Sequence, residues 1–194
     1  MATKTKHHHG NLKEALVEAG FAILSEEGFD GLTLRKAAQR AGVSHAAPAH
    51  HFDGKQGLLA AIAARGYKIF SGLMRDERFR RGSDPRSQLL GISSGYLRFA
   101  REHPALFRLV FTTEFDDHSD EILQEAGSES YMILSEVCGL FEPSRHGPSV
   151  NEMQVWSAVH GYALLSAHGR HFDPLSGKPI ELEAILPELT PRTP

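Results

Sequence analysis

The chain has 194 residues, of which 41% are hydrophobic and 23% charged, so it holds enough apolar material for a packed core and has the charge content of a soluble protein. Its one cysteine, Cys138, excludes an internal disulfide and is predicted to be a small buried residue. Neither a signal-peptide pattern nor an apolar run near the ~18 residues of a membrane span is present, which predicts a cytoplasmic protein with no membrane partner.

The net charge of −3 conceals an asymmetry along the chain. Residues 1–68 carry nine Lys/Arg and six Asp/Glu, a balance of +3, whereas the remaining residues carry twelve and eighteen, a balance of −6. A basic N-terminal region on an acidic remainder indicates a polyanionic partner for the N-terminal region only. The opening segment ATKTKHHHG is also basic and predicts a flexible N-terminal arm.

Apolar residues at helical spacing predict a first helix over Asn11–Glu27. These residues are Leu12, Leu16, Ala19 and Ile23. Gly28 follows directly and predicts the end of this helix, because glycine is a common residue just past a helix C-terminus.

Two short helices are predicted next, joined by a tight turn. Thr33 has a side chain suited to cap a helix over Leu34–Ala41, which Gly42 ends. Ser44 is predicted to cap the second, very short helix. Pro48 has no N–H group, so the start of this helix is predicted to be irregular.

Downstream, the pattern remains helical. Asp53 and Gln56 have the spacing of a capping box and predict a long helix continuing at least to Leu73. The turn-rich segments 79–87 and 142–149 predict loops. Further helices are predicted over Ser87–Arg101, Pro104–Phe111, Asp120–Phe141, Asn151–His168 and Ile180–Leu189. Because no segment alternates as a strand does, the predicted fold is all-α.

The elements between residues 33 and 51 have the order of a helix-turn-helix, whose second helix lies in the major groove of DNA. His45, near the start of that helix, is placed to reach a base edge or a phosphate, and His50 and His51 are placed to donate to flanking phosphates. The small residues that allow the backbone to approach DNA are Ala46, Ala47 and Ala49. We therefore predict a three-helix DNA-binding domain over residues 1–56 and a larger helical domain over residues 57–194.

Lys55 lies in the first turn of the long helix, where free N–H groups and the helix dipole favour an anion, so a phosphate contact is predicted. An alternative for His45, His50 and His51 is a metal site. However, adjacent histidines point to different faces of a helix, and no cysteine or carboxylate cluster completes a ligand set. We therefore predict DNA contact, with no metal and no cofactor.

These residues also carry a family resemblance. The segment Gly31–Ile62 resembles the DNA-binding signature of the TetR family of bacterial regulators, GLTLRKAAQRAGVSHAAPAHHFDGKQGLLAAI, and the helix before it is similar to that family's first helix. The resemblance implies that Arg35 reaches a base edge and that His45 and Ala46 face bases. The residues implied to hold the DNA backbone are Thr33, Ser44, His51 and Lys55.

One position departs from the family pattern. Ala49 stands where the family usually has a tyrosine, two positions before a His-Phe pair. This removes a large side chain that contacts phosphate, so we expect the affinity or the choice of operator to differ from the family norm, with His50 as a partial substitute.

The C-terminal region holds aromatic side chains on several helices, and two interpretations of them stay open: core packing, or an apolar cavity. The residues predicted to wall such a cavity are Phe99, Phe107, Phe111 and Trp156, with His160 or Tyr131 placed to meet one polar group of a bound molecule. The segments GYLRFAREHPALFRLVF and VWSAVHGYALL resemble a TetR subgroup with a Trp…His-Gly helix. That resemblance implies that the cavity takes a small-molecule effector.

The helix over Glu152–His168 is too apolar around its circumference to face water in a monomer, which predicts pairing with a second copy of the chain. The predicted function is therefore a homodimeric repressor that a small apolar effector releases from a pseudo-palindromic operator in double-stranded DNA. One alternative is a structural DNA-binding dimer without an effector. Another is an enzyme with an appended DNA-binding module, which the lack of a nucleophile elbow, a metal ligand set or a phosphate loop disfavours.

Overall fold

The structure, a computed structural model, describes residues 9–113, 115 and 121–193. Within these residues the chain consists of helices and loops, with no β-strand and two isolated β-bridges. The predicted all-α fold is confirmed. Most of the predicted N-terminal arm lies outside the described residues, and no helix within them is long and apolar enough to cross a membrane.

The helices follow one another in a simple order. They are α1 (His9–Gly31), α2 (Leu34–Arg40), a 3₁₀ helix (Ala47–His50), α3 (Gly54–Arg81), α4 (Pro85–Glu102), α5 (Pro104–Thr112), α6 (Glu121–Cys138), α7 (Val150–Ala167) and α8 (Leu182–Ile185). Packing divides the described residues into two compact units. The first unit holds the residues up to Tyr67 together with those from His103 to Ala126, and the second holds Lys68–Glu102 and the residues from Gly127 onward.

The first unit is organised around α1, which packs against α2 and α5. Leu16, Ile23 and Leu24 of α1 are fully or almost fully buried, as the helical spacing of apolar residues predicts. Gly28 has φ 73° and ψ −168°, so the helical backbone is broken there, and a last turn continues to Gly31. The break at Gly28 agrees with the prediction, because glycine adopts this left-handed region without the steric cost that other residues meet.

Several helix ends differ from prediction; α6, for example, ends at Cys138 instead of Phe141. α3 runs to Arg81, so the predicted loop over residues 79–87 is wrong in its first part; its charged residues continue the helix until Gly82, with φ 115°. α8 has only four residues instead of the predicted Ile180–Leu189. Leu186 takes an extended backbone, φ −63° and ψ 138°, because the proline at position 187 disfavours a helical residue before it.

The second unit has its own apolar core. Phe99, Phe141 and Val155 are almost completely buried within it. Cys138 is also buried, as predicted, and burial, with a further effect from Glu152, raises the pKa of its thiol to about 12. The thiol therefore stays protonated at neutral pH, and its role here is packing.

Candidate nucleic-acid interface

A tight turn joins α2 to the 3₁₀ helix. The N–H of Val43 donates to the carbonyl of Ala38 over 3.0 Å, and the N–H of Gly42 donates to the carbonyl of Gln39 over 3.2 Å. Gly42 has φ 68°, a conformation that glycine adopts most easily at the end of a helix. This geometry confirms the turn that the sequence predicted and completes a helix-turn-helix.

Thr33 fixes the start of α2. Its Oγ1 accepts a hydrogen bond from the N–H of Lys36 over 3.1 Å, so Thr33 is the N-cap, as predicted. Thr33 is exposed, and the hydroxyl proton remains free to be donated because the cap uses Oγ1 only as an acceptor. The side chain can therefore cap the helix and donate to a phosphate at the same time.

The three basic side chains of α2 have different surroundings. Lys36 pairs with Glu27 over 2.6 Å, and Arg40 donates to both carboxylate oxygens of Glu26. The hydrogen bond from Arg40 lowers the pKa of the Glu26 carboxyl, which keeps that pair ionised. Arg35 is exposed and has no ion-pair partner within the part of the chain that the structure describes. Of these three side chains, only that of Arg35 therefore has its N–H donors available to a base or a phosphate.

The recognition segment, residues 44–50, follows α2. It consists of a turn and a 3₁₀ helix in place of the predicted short α-helix. Its N-cap is Ala46, so the cap predicted at Ser44 is wrong; the carbonyl of Ser44 instead accepts from the N–H of Ala47 over 3.0 Å. Pro48 lies in the first turn of the 3₁₀ helix, which confirms the predicted irregular start. A proline lacks the donor that a regular α-helix needs beyond its first turn.

Side chains of this segment face two directions. Ala47 and Pro48 are buried, so the Ala47 methyl group belongs to the core, and of the three alanines predicted to let the backbone approach DNA only Ala46 and Ala49 are exposed. The exposed residues of the segment are Ser44, His45, Ala46, Ala49 and His50. His51 is half-buried, with its ring centroid 6.5 Å from that of Phe52. Within the described ranges, no three His, Cys, Asp or Glu side chains are grouped as a metal site.

Lys55 lies in the first turn of α3 and is exposed. Its Nζ donates to the backbone carbonyl of Phe29 over 2.9 Å. An ammonium group has three N–H donors, so two remain for a phosphate. The side chain is thus held in one place and still carries its charge.

Comparison with known proteins agrees with this geometry. Residues 16–62 match the family described as bacterial regulatory proteins, tetR family, and residues 89–186 match the tetracyclin repressor-like C-terminal domain. The chain belongs to the TetR family of DNA-binding transcriptional regulators.

Individual relatives support the assignment to the TetR family. The HTH-type transcriptional regulator BetI of Stenotrophomonas maltophilia is 27% identical over 130 residues, 66% of each chain, so this chain spans just under two thirds of that regulator. A protein of unknown function from Rhodococcus sp. RHA1 has 28% identity and a TM-score of 0.74, covering 94% of this chain and 93% of its own. A TetR family regulator from Marinobacter aquaeolei VT8 has the same fold, with 23% identity, a TM-score of 0.60 and coverage of 83% and 86%.

In this TetR family member, the residues predicted to bind an effector are distributed over both units. Phe107 and Phe111, in the first unit, have ring centroids 5.1 Å apart. In the second unit, Phe99 is fully buried and lies 5.2 Å from the ring of Phe70. Tyr131, Trp156 and His160 also belong to the second unit, where Tyr131 is 42% and Trp156 38% exposed. Their joint role in an effector site stays a prediction.

His160 forms a polar pair that the sequence reasoning missed. Its Nδ1 lies 2.7 Å from the hydroxyl oxygen of Tyr96, which is buried against Phe70. Burial lowers the pKa of His160, so the imidazole is neutral at pH 7. The spacing of Tyr96 and Phe99 on one helix predicts that Tyr96 has apolar surroundings. It does not predict that the polar partner of Tyr96 lies on α7.

Two openings in the second unit are lined by residues outside the predicted effector set. One is a mainly apolar groove of about 670 Å³ along the N-terminal half of α7, with Val150, Met153 and Ile185 among its lining residues. The other is a polar cleft of about 480 Å³ that includes Arg81, Arg98 and Tyr162. Arg98 is neutralised in that cleft by ion pairs with Glu77 and Glu102.

Proposed function

We propose that this protein is a homodimeric transcriptional repressor that binds a pseudo-palindromic operator through the exposed surface between Thr33 and Lys55. The observation that carries the proposal is the availability of Arg35 beside two neutralised neighbours on the same helix. A guanidinium with free donors is suited to bidentate contact with guanine. The family assignment supports the same function.

The proposed contacts divide into two kinds. Arg35, His45 and Ala46 are proposed to face base edges, as the family resemblance implies, and all three are exposed. The residues proposed to contact phosphates and fix the register are Thr33, Ser44, His50, His51 and Lys55. Ala49 is exposed and has no side chain long enough for such a contact, so the contribution of His50 to affinity is expected to be larger in this chain than in members with a tyrosine at this position.

Selection from a random double-stranded DNA library with the purified protein tests this proposal. We expect an enriched sequence with two related half-sites whose centres are separated by about one helical turn or a multiple of it. Failure to enrich any sequence, with binding equal for all duplexes, would contradict a sequence-specific regulator.

The exposed apolar side chains of α7 support the homodimer. Met153 is 59%, Leu164 41% and Leu165 48% exposed, and Trp156 lies on the same helix. Large apolar side chains concentrated on one exposed helix are typical of a protein interaction surface. Pairing of α7 with α7 of a second copy would bury them and would present two helix-turn-helix surfaces to a two-fold operator.

We also propose that a small, mostly apolar effector lowers operator affinity by binding preferentially to a conformation that is not competent for DNA. The neutral pair of Tyr96 and His160 among aromatic rings supports a ligand with one polar group. A panel of small alcohols, amines and carboxylic acids, added to the operator complex, tests this. Release of DNA with the compound recovered unchanged is expected; conversion of the compound would favour an enzyme.

A further inference from the structure

Phe29 lies at the junction of three helices of the first unit. Its backbone carbonyl accepts the hydrogen bond from Lys55 on α3, and its ring lies under the guanidinium of Arg108 on α5, with the Cζ atom 5.6 Å from the ring centroid. Phe29 is therefore in contact with Lys55, which we propose binds a DNA phosphate, and with Arg108, which lies outside the helix-turn-helix.

The carbonyl of Phe29 suits a cation for a local reason. Phe29 belongs to the last turn of α1, where carbonyl groups lack helical partners and the helix dipole is negative. The ammonium of Lys55 satisfies one of these carbonyls. This bond positions the lysine without neutralising it, unlike the carboxylates that pair with Lys36 and Arg40.

The last turn of α1, which carries this carbonyl, follows a break in the helix. The non-helical backbone at Gly28 separates the last turn from the body of α1, and a side chain at Gly28 would meet no atom within 4 Å. Arg108 is exposed and has no ion-pair partner among the described residues, and its guanidinium lies over the ring of Phe29. A guanidinium over an aromatic face is an attractive contact.

We propose that Arg108 is a positioning residue for DNA binding: through the ring of Phe29 it fixes the carbonyl that holds the Lys55 ammonium toward a DNA phosphate. The inference rests on the DNA-binding function proposed above. It extends the functional unit to α5, which follows the helix-turn-helix in the chain by about fifty residues, yet packs against α1 in the same compact unit.

Operator and non-operator binding by full-length variants, measured over a range of salt concentrations, tests this role. Since an exposed cation–π contact is worth a modest free energy, Arg108→Gln and Phe29→Leu should each weaken binding roughly two- to fivefold on both kinds of DNA. Lys55→Ala should reduce the salt slope by about one. The double variant Lys55→Ala/Arg108→Gln should bind no more weakly than Lys55→Ala alone, because Arg108 acts only through Lys55.

Matched variants separate positioning from charge and from folding. Phe29→Tyr keeps the aromatic ring and should retain wild-type affinity. Phe29→Leu removes the ring without changing the charge and should still weaken binding. Arg101→Gln removes an exposed arginine from the second unit and should leave the affinity close to that of the wild type. Thermal melting identifies any variant whose weaker binding reflects unfolding.

The binding measurements distinguish failure of the positioning role of Arg108 from failure of the proposed DNA-binding function. A double variant whose losses add would overturn the positioning role and show that Arg108 contacts DNA independently. Unchanged binding by both Arg108→Gln and Phe29→Leu, with Lys55→Ala weakened, overturns the inference and leaves the proposed function intact. A wild-type protein that binds no DNA overturns the proposed function itself.

Discussion

Glutamates pair with basic side chains in both units of this protein; in the first unit the paired cations are Lys36, Arg40 and Arg65. In the second unit, five arginines are in ion pairs with glutamates: Arg75, Arg78, Arg80, Arg98 and Arg101. In the first unit, Arg35 has no such partner within the described residues, and Lys55 is held by a neutral carbonyl. Formal charge alone does not show which cations are available to a polyanion, because charges that are already paired contribute little to its attraction.

The same contrast separates neighbours on α2. Lys36 and Arg40 are held by Glu27 and Glu26, whereas Arg35 is open. We propose that the first unit acts through exposed cations that have no carboxylate partner, and that the second unit acts through buried contacts and through pairing with another copy. Substitutions in the two units should then damage different properties, and the following predictions test that separation.

The largest effect is expected from the interior of the second unit. Phe99→Ala removes a fully buried ring and should lower the free energy of unfolding by about 3–5 kcal/mol, as measured by urea denaturation. Phe79→Ala is the matched control, because that ring is 90% exposed, and its effect should stay within about 0.5 kcal/mol. Equal effects for the two phenylalanines would disprove the assigned packing.

Gly161→Leu should weaken the proposed dimer. A side chain at Gly161 meets no atom of its own chain within 4 Å, so overpacking, which typically costs about 1–3 kcal/mol, would arise from the partner. Sedimentation should show a shift toward monomer together with weaker operator binding. Gly72→Leu, at another helical glycine with open space, should leave the dimer intact; a dimer that persists in Gly161→Leu places the interface elsewhere.

Arg35→Ala should reduce operator affinity by roughly 1–3 kcal/mol and relax the preference at one base pair, with the melting temperature unchanged. Arg40→Ala, on the same helix, removes an arginine that Glu26 already holds and should change base preference much less. Competition between operator variants measures both effects. The roles of the two arginines would be reversed if Arg40→Ala were the variant that changed specificity.

The smallest effect concerns pH. Because burial lowers the pKa of His160 in the folded state, the unfolded chain takes up a proton more readily below its ordinary pKa of about 6.5, and the free energy of unfolding falls as pH decreases from there. His160→Asn keeps a hydrogen-bonding group near Tyr96 but cannot titrate, so denaturation curves should show a smaller loss between pH 7 and 5. An identical pH dependence in both proteins would exclude His160 as a contributor.

The sequence predicted local features best where one short segment determines the outcome. The Thr33 cap, the turn at Gly42 and the irregular start at Pro48 are all confirmed, because each depends on the backbone preference of one residue and its immediate neighbours. The Ser44 cap was wrong, and Ala47, one of the three alanines predicted to let the backbone approach DNA, is buried. Both depend on how the 3₁₀ helix rotates when it packs its buried side into the core, and the residue order does not specify that rotation.

The sequence by itself determined that the fold is all-α, where the helix-turn-helix begins, and which exposed residues are candidates to contact DNA, since helical periodicity and capping act over a few residues. Only the tertiary structure decided which cations remain available, because pairing of Arg40 with Glu26, and of Lys55 with the carbonyl of Phe29, requires separate helices to meet. The same holds for Tyr96 and His160, which lie 64 positions apart in the chain and are brought within 2.7 Å only by the packing of α4 against α7.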